Sequence, residues 1–319
     1  MRRRRPPSRG TGGTMTGLRI GIVVNPTAGH GRGERRGQHL LEAARARGHD
    51  VHDLSAADLL GAEQHARQAV VRGLDALVVA GGDGMVHLGV NIVAGTDLPL
   101  GIVAAGSGND IARAMDLPRH DVAAAVRVIE AGLERGGRPV DAVRVGPPDY
   151  SAHEWFIGVL SCGVDAAVNA RANALTWPRG GGRYVRGLVT ELRRFRPYGF
   201  RLTLDDETWE STGTLVAVAN GGLFGGGMRI APDSRMDDGL LDVVIAGPLS
   251  RNELLGIFPK VYRGTHVRHP ACTILRSTSV LIEHSPVGPL PPAAFADGER
   301  IGPLPLRVEV QPGAVRLLA

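Results

Sequence analysis

Apolar runs alternate with amphipathic stretches through the first 131 positions. Residues 18–25 form a continuous apolar stretch ending in turn residues, as a strand buried on both faces does. Residues 34–47 read as a helix ending near Gly48, 50–54 as a short strand, and 62–72 as a helix before Gly73. Residues 75–80 are a second buried strand that runs into Gly81-Gly82-Asp83-Gly84. A helix over 85–94, a strand over 98–104 and a helix over 109–115 follow. Asp121 is suited to N-cap a helix over 122–131, with Gly132 as its stop. This βαβα order predicts an α/β N-terminal domain with a parallel sheet.

The second half changes period. Short apolar strands recur at 155–160, 200–204, 214–219, 241–246, 280–283 and 306–310, separated by Gly, Pro and Asp clusters. That pattern predicts a C-terminal β-rich, sandwich-like domain. Two helices interrupt it. One spans 183–196, with Tyr184, Leu188, Leu192 and Phe195 on one stripe. The other spans 254–261, behind a capping box at Ser250-Arg251-Asn252-Glu253. The expected divisions are a disordered basic tail over 1–16 (with Met15 as an alternative start), a first domain over 17–142 and a second over 143–300. The boundary is expected to fall near 140–148. Residues 286–292 read as a proline-rich loop.

Composition narrows the chemistry. The net charge of +5 and pI near 9.8 suit anionic partners, but Arg2, Arg3, Arg4, Arg5 and Arg9 account for most of the excess. Lys260 is the sole lysine, so no phosphate-loop lysine exists in the first half. Cys162 and Cys272 stand far apart, which suits a reduced, cytoplasmic setting. No apolar run approaches the roughly 18 residues of a membrane span. Aromatic content of 4% and the lack of a basic module argue against nucleic acid. His49 with His52, and His266 with His269, read as surface or loop histidines, because no cysteine or acidic partner completes a metal set. Ser161-Cys162-Gly163 reads as buried small residues, with no partnered base for a nucleophile. The arginines of 183–196 read as a solvated face, with anionic lipid contact as the alternative.

Three glycine-rich turns each follow a strand and precede a helix. The first is Asn25-Pro26-Thr27-Ala28-Gly29-His30-Gly31-Arg32-Gly33, the second Gly81-Gly82-Asp83-Gly84, the third Gly106-Ser107-Gly108-Asn109-Asp110. Glycines let backbone approach an anion, and a helix start offers free N–H groups. An ordinary turn explains the first equally well, and a plain N-cap explains Asn109 or Asp110 taken singly. Three such turns at successive strand ends point to a phosphate ligand.

Together these residues resemble the bacterial diacylglycerol kinase and sphingosine kinase-like lipid kinases, whose fold is related to that of NAD kinase. That family's pattern runs N-P-x-[SA]-G, then G-G-D-G-T, then P-x-G-T-x-N-D-x-A-R. Here Asn25, Pro26 and Gly29 match the first, Gly81–Gly84 the second, and Gly106, Asn109, Asp110, Ala112 and Arg113 the third. Ala231-Pro232-Asp233, Asp238-Gly239-Leu240-Leu241-Asp242 and Asp297-Gly298-Glu299 resemble its C-terminal motifs, so the likeness spans 18–319. It implies transfer of the γ-phosphoryl group of ATP to a lipid hydroxyl, diacylglycerol first, with Mg²⁺. Asn25, Pro26, Gly29, Ser55, Gly81, Gly82, Asp83, Gly84, Met85, Val86, His87, Gly106, Ser107, Asn109 and Asp110 would surround the nucleotide. Asp83, Asp110 and Asp141 would form a network around catalytic Mg²⁺, partly through water. Asp238, with the carbonyls of Arg235 and Leu240, would hold a structural Mg²⁺. Asp297 or Glu299 would act as general base, and Asp83 would also be catalytic. The resemblance alone implies that residues 301–319 return toward the first domain. By their residues alone, Asp238-Gly239 and Asp297-Gly298 read as turns.

Several positions depart from the pattern. Met85 stands where threonine is usual, His87 where Asn is usual, Ala105 for proline, Ser107 for threonine and Arg32 for lysine. Two other readings stay open: NAD kinase, which shares the G-G-D-G cradle, and a nucleotide-binding regulator with weak catalysis, which Met85 motivates. The implied setting is cytoplasmic, with peripheral contact at the inner membrane face and a homodimer left open.

Overall fold

The computed structural model describes residues 17–25, 33–174, 186–187, 190–191, 195–205 and 207–319. Pro26, Gly29 and the rest of 26–32, the tail 1–16 and most of the helix expected over 183–196 lie outside the described residues.

In chain order the first half runs β1 (Arg19–Val24), α1 (Gly33–Ala46), β2 (Asp50–Asp53), α2 (Leu59–Val71), β3 (Ala76–Gly81), α3 (Asp83–Val93), β4 (Leu100–Ala104), α4 (Asp110–Ala114), α5 (Val122–Arg135) and β5 (Arg138–Gly146). β2, β1, β3 and β4 lie side by side and parallel. Alternate residues of β3 feed two different cores. Ala76, Val78 and Ala80 pack with Leu40 of α1 and Val126 and Ile129 of α5. Leu77 and Val79 pack with Ala66 of α2 and Leu88 and Ile92 of α3. Both faces are therefore covered, which is why these strands are apolar throughout rather than alternating. It also sets every β-to-α turn at one edge of the sheet.

The second half runs β6 (Glu154–Phe156), β7 (Val159–Gly163), α6 (Val164–Ala174), β8 (Tyr198–Leu204), β9 (Thr208–Gly213), β10 (Leu215–Ala219), β11 (Leu223–Phe224) and β12 (Met228–Arg229). It continues with β13 (Leu241–Ala246), α7 (Arg251–Arg263), β14 (Cys272–Ser277), β15 (Ser279–His284), β16 (Ala294–Ala296), β17 (Glu299–Gly302) and β18 (Leu306–Leu317). One sheet has the order β14-β13-β10-β7-β16-β17. The other continues the first-half sheet as β4-β18-β15-β8-β9, with β5 on β18 and β6 on β5. Between the two sheets lies a core that includes Phe156, Leu160, Phe200, Leu202, Leu241 and Ile282.

β18 joins the halves. Its C-terminal Leu317 pairs in parallel with Leu100 of β4, while its first residues pair antiparallel with β15. Along almost its whole length it also pairs with β5. Much of the stretch expected to hold a boundary, 140–148, is thus a strand in the shared sheet rather than a linker.

Four local expectations are corrected. Gly132 does not stop α5, which runs on to Arg135 and ends at left-handed Gly136. Gly132 is instead a packing glycine, whose Cβ would stand 2.8 Å from the Cα of Leu318. The strand expected over 155–160 is two strands, because the N–H groups of Ile157, Gly158 and Val159 turn to the Asp297 carboxylate. His49 and His266 are buried rather than superficial. His49 Nε2 lies 3.2 Å from Glu130, and His266 Nε2 lies 3.1 Å from the Ile230 carbonyl. Burial keeps the His266 pKa below the usual histidine value. The box at Ser250 and Glu253 forms as expected and caps α7.

Candidate active site

The turns after β3 and β4 meet backbone to backbone. Gly106 lies so close to the Cα of Gly82 that no Cβ fits between them. The N–H groups of Ala105 and Gly106 both donate to the Gly81 carbonyl. Asn109 closes the second turn from within. Its φ is +54°, its side-chain oxygen accepts from Gly106 N–H at 2.9 Å, and its amide donates to the Gly106 carbonyl at 2.8 Å. Asn109 therefore shapes the turn. Ser107 beside it is exposed. α3 starts at Asp83, so its first-turn N–H groups and positive dipole end stand at this cradle.

Asn25 and Ser55 border the cradle from β1 and β2. Asn25 N–H donates to the Ala80 carbonyl, and its side chain sits against Gly81. Ser55 accepts from Val24 N–H at 3.0 Å. Met85 and Val86 point into the core instead. The Met85 side chain folds under Gly81, so it neither fills the cradle nor supplies a polar contact there.

Two carboxylates converge on the cradle. The Ile111 N–H donates to Asp83 Oδ1 at 3.2 Å, and the Gly226 N–H donates to Asp110 Oδ2 at 2.6 Å. Gly108 separates them, and a Cβ there would stand 2.8 Å from Asp83 Oδ2. Burial first, then the neighbouring Asp110 charge, pushes the Asp83 carboxyl up to about 6. Asp110 is raised as well, again chiefly by burial. The buried Oδ1 of Asp110 has no hydrogen-bond partner, with Arg113 Nε 3.9 Å away. Two crowded carboxylates with a free buried oxygen suit a hard divalent cation, whose other ligands would be phosphate oxygens and water. Among the described residues no three acidic, His or Cys side chains gather at a metal spacing.

Asp141 is employed elsewhere. Its two oxygens accept from Gly239 N–H at 2.7 Å and Gly313 N–H at 2.8 Å, which ties β5 to the 236–239 turn and to β18. The second expected magnesium set is also occupied. Arg276 pairs with Asp238 and, at 3.3 Å, with Asp242, while Asp238 Oδ1 accepts from Leu240 N–H. The side chain of Arg235 turns to Asp237. In this structure a guanidinium neutralises Asp238.

The opposite wall comes from the β-rich half. Asp297 lies in the β16–β17 turn with φ +53° and a side chain 1% exposed. Both its oxygens are taken by the N–H groups of Ile157, Gly158 and Val159. Glu299 is exposed, and its Oε1 lies against Gly84, where a Cβ would be only 2.5 Å away. The cleft between the walls is lined by Asp83, Asp110 and Asp297, and by Ser161, Asp165 and Phe224. Sequence reasoning set Ser161 aside as a buried small residue and missed Asp165, Phe224 and Gly226. For Phe224 and Gly226 the Gly225-Gly226-Gly227 run between two short strands was the available signal.

His87 turns away from the cradle. Its Nδ1 is 3.7 Å from Asp297 and its Nε2 3.5 Å from Glu154, separations of ion pairs rather than hydrogen bonds. Burial pulls its pKa down, but the two carboxylates outweigh this and push it up to about 9. The stabilisation is fully present below pH 6.5 and is lost as pH rises through about 9. Between pH 7 and 10 the protein is expected to lose about 3 kcal/mol more than His87→Gln does. Urea unfolding at each pH checks this, and equal losses in the two proteins would refute the charged pairing.

Asp165 is buried, its pKa raised by burial, and its Oδ1 lacks a hydrogen-bond partner. Asp165 and Phe224 also line a second cavity, walled by apolar side chains such as Val168, Leu254, Ile257 and Val261.

Comparisons with known proteins identify the family. The Diacylglycerol kinase catalytic domain family matches residues 19–145, and the YegS C-terminal NAD kinase beta sandwich-like domain matches 158–319. A diacylglycerol kinase of Mycobacterium tuberculosis is 35% identical over 301 residues, 94% of either chain. One from Bacillus subtilis is 25% identical over 291 residues, 90% of this chain and 91% of the other. The crystal structure of a diacylglycerol kinase from Bacillus anthracis shares the fold, with a TM-score of 0.68, 19% identity, and coverage of 94% of this chain and 96% of that one. With both halves matched and a relative above 30% identity along nearly its whole length, this chain belongs to the diacylglycerol kinase and YegS-like family of lipid kinases.

Proposed function

We propose that the protein transfers the γ-phosphoryl group of ATP to the hydroxyl of a glycerolipid, diacylglycerol first, with Mg²⁺ as cofactor. The observation that carries the acceptor class is the apolar cavity that adjoins the polar cleft at Asp165 and Phe224. A molecule with a hydroxyl at one end and an acyl chain at the other suits both. NAD, charged and hydrogen-bonding along its length, would leave polar groups unpaired in the second cavity.

Phosphoryl transfer asks a protein for positioning and charge stabilisation more than for covalent chemistry. The Gly82 and Gly106 turns and the start of α3 would seat the phosphates, with Asn25, Ser55 and Ser107 toward the nucleotide. Asp83 and Asp110 would hold Mg²⁺, which neutralises phosphate charge when bound. Glu299 would take the proton from the acceptor hydroxyl, because the lone pairs of Asp297 are engaged by three N–H groups. Asp297 would then fix the turn that presents Glu299 to Gly84.

The test is transfer of label from γ-labelled ATP in mixed micelles with Mg²⁺, across diacylglycerol, sphingosine, phosphatidylglycerol and NAD. Label in diacylglycerol is the expected result. Label only in sphingosine or phosphatidylglycerol would move the acceptor, and label only in NAD would replace the reading by that of an NAD kinase. ATP binding with no label in any acceptor would favour a regulator.

A further inference from the structure

α7 stands between the apolar cavity and solvent. Leu254, Ile257 and Val261 on its inner face wall the cavity. Its outer face is unusual for a helix in contact with water. Leu255 is 53% exposed and Tyr262 43%, and with Arg251 they fall within about 40° on the helical wheel. Exposed Arg251, Lys260 and Arg263 surround them, and exposed Arg229 and Arg268 extend the same charge beyond the C-terminal end. The helix's single acid, Glu253, is bound to Ser250 in the capping box. α2 also exposes Leu59, Leu60 and Val71, but these sit at its two ends, beside Asp58 and Glu63.

The cavity that α7 walls shares Asp165 and Phe224 with the cleft. A lipid leaving a bilayer at this helix would therefore have both the apolar cavity and the phosphoryl-transfer cleft within reach.

We propose that α7 is the surface that docks the protein on an anionic bilayer, with Leu255 and Tyr262 among the acyl chains and Arg251, Lys260 and Arg263 on the headgroups. The inference rests on the reading of a lipid acceptor for its purpose, but not for its test. Apolar side chains ringed by cations, on a helix that does not span the membrane, are the features of interfacial binding. The charge complementarity selects an anionic surface. Among the described residues no helix is long and apolar enough to cross a membrane, so this contact would be peripheral.

The experiment is cosedimentation with vesicles of phosphatidylcholine, with and without phosphatidylglycerol. It compares the wild-type chain, the double variant Leu255→Ser with Tyr262→Ser, and the single variants Arg251→Ala, Lys260→Ala and Arg263→Ala. These side chains are exposed, so the fold is expected to survive, and a circular dichroism melt of each variant verifies it. The wild type is expected to bind anionic vesicles and to leave neutral ones. The double variant should bind about tenfold more weakly, and each lost cation should cost about fivefold. Wild-type binding by the double variant, or equal binding to neutral vesicles, would overturn the proposal. In parallel, each protein is offered a water-soluble short-chain diacylglycerol. The double variant should phosphorylate it as the wild type does, while losing turnover on vesicle-borne diacylglycerol. No phosphorylation of either lipid by any of the proteins would refute diacylglycerol as the acceptor, whatever the vesicles show.

Discussion

Asp83→Asn is expected to lower phosphoryl transfer by about 10³-fold or more, and to make the metal-free protein more stable. The two effects have one cause. Asp83 is buried against Asp110, and its carboxyl is pushed up to about 6 from 3.8. The folded protein therefore resists the charge that the unfolded chain carries freely. The resulting destabilisation is absent below pH 3.8, grows between 3.8 and 6, and is fully present at neutral pH, where it is worth about 3 kcal/mol. Asparagine keeps an oxygen to accept from Ile111 N–H and removes the like charge beside Asp110. Urea unfolding with a chelator present, paired with a turnover assay, checks both halves. Wild-type turnover would remove Asp83 from the chemistry. A less stable variant would show that its negative charge is held by something other than a bound cation and substrate.

Glu299→Gln carries the second large expectation. Turnover should fall by about 10²–10⁴-fold, the usual yield of a positioned general base, while ATP binding stays within about twofold of wild type. The residue is exposed and makes no described hydrogen bond, so its loss should leave the fold intact. Asp297→Asn should behave differently. An amide cannot accept the Ile157, Gly158 and Val159 N–H groups through both of its ends, so this variant should lose stability together with activity. Titration calorimetry with ATP, a thermal melt and steady-state turnover on each variant separate the cases. Normal turnover in Glu299→Gln, with turnover lost in an Asp297→Asn that keeps wild-type stability, would transfer the base role to Asp297.

The first-half strands could be read because burial on both faces writes itself locally as unbroken apolar runs, and the turns after β3 and β4 because their close backbone approach requires glycine there. The capping boxes and N-caps at Asp121 and Ser250 were legible for the same reason: their partners lie three residues away. Met85 and His87 were harder. Both sit in the G-G-D-G turn's helix, yet one faces the core and the other faces Asp297 and Glu154, from elements far along the chain. A single sequence carries no record of which side of that helix the second half covers.

The sequence by itself determined the α/β order of the first half, the β-rich character of the second, and the two glycine turns after β3 and β4. Each depends on residues close together along the chain, through periodicity, capping and glycine geometry. Only the tertiary structure decided which strand of the first sheet β18 would meet, and that the Asp141 carboxylate would accept from Gly239 and Gly313. It also decided that Asp165 and Phe224 would link a polar cleft to an apolar cavity, and that Glu299 would rest on Gly84. Those outcomes are set by pairing and packing across tens to hundreds of residues, where the free energy of a contact depends on what the rest of the fold brings beside it.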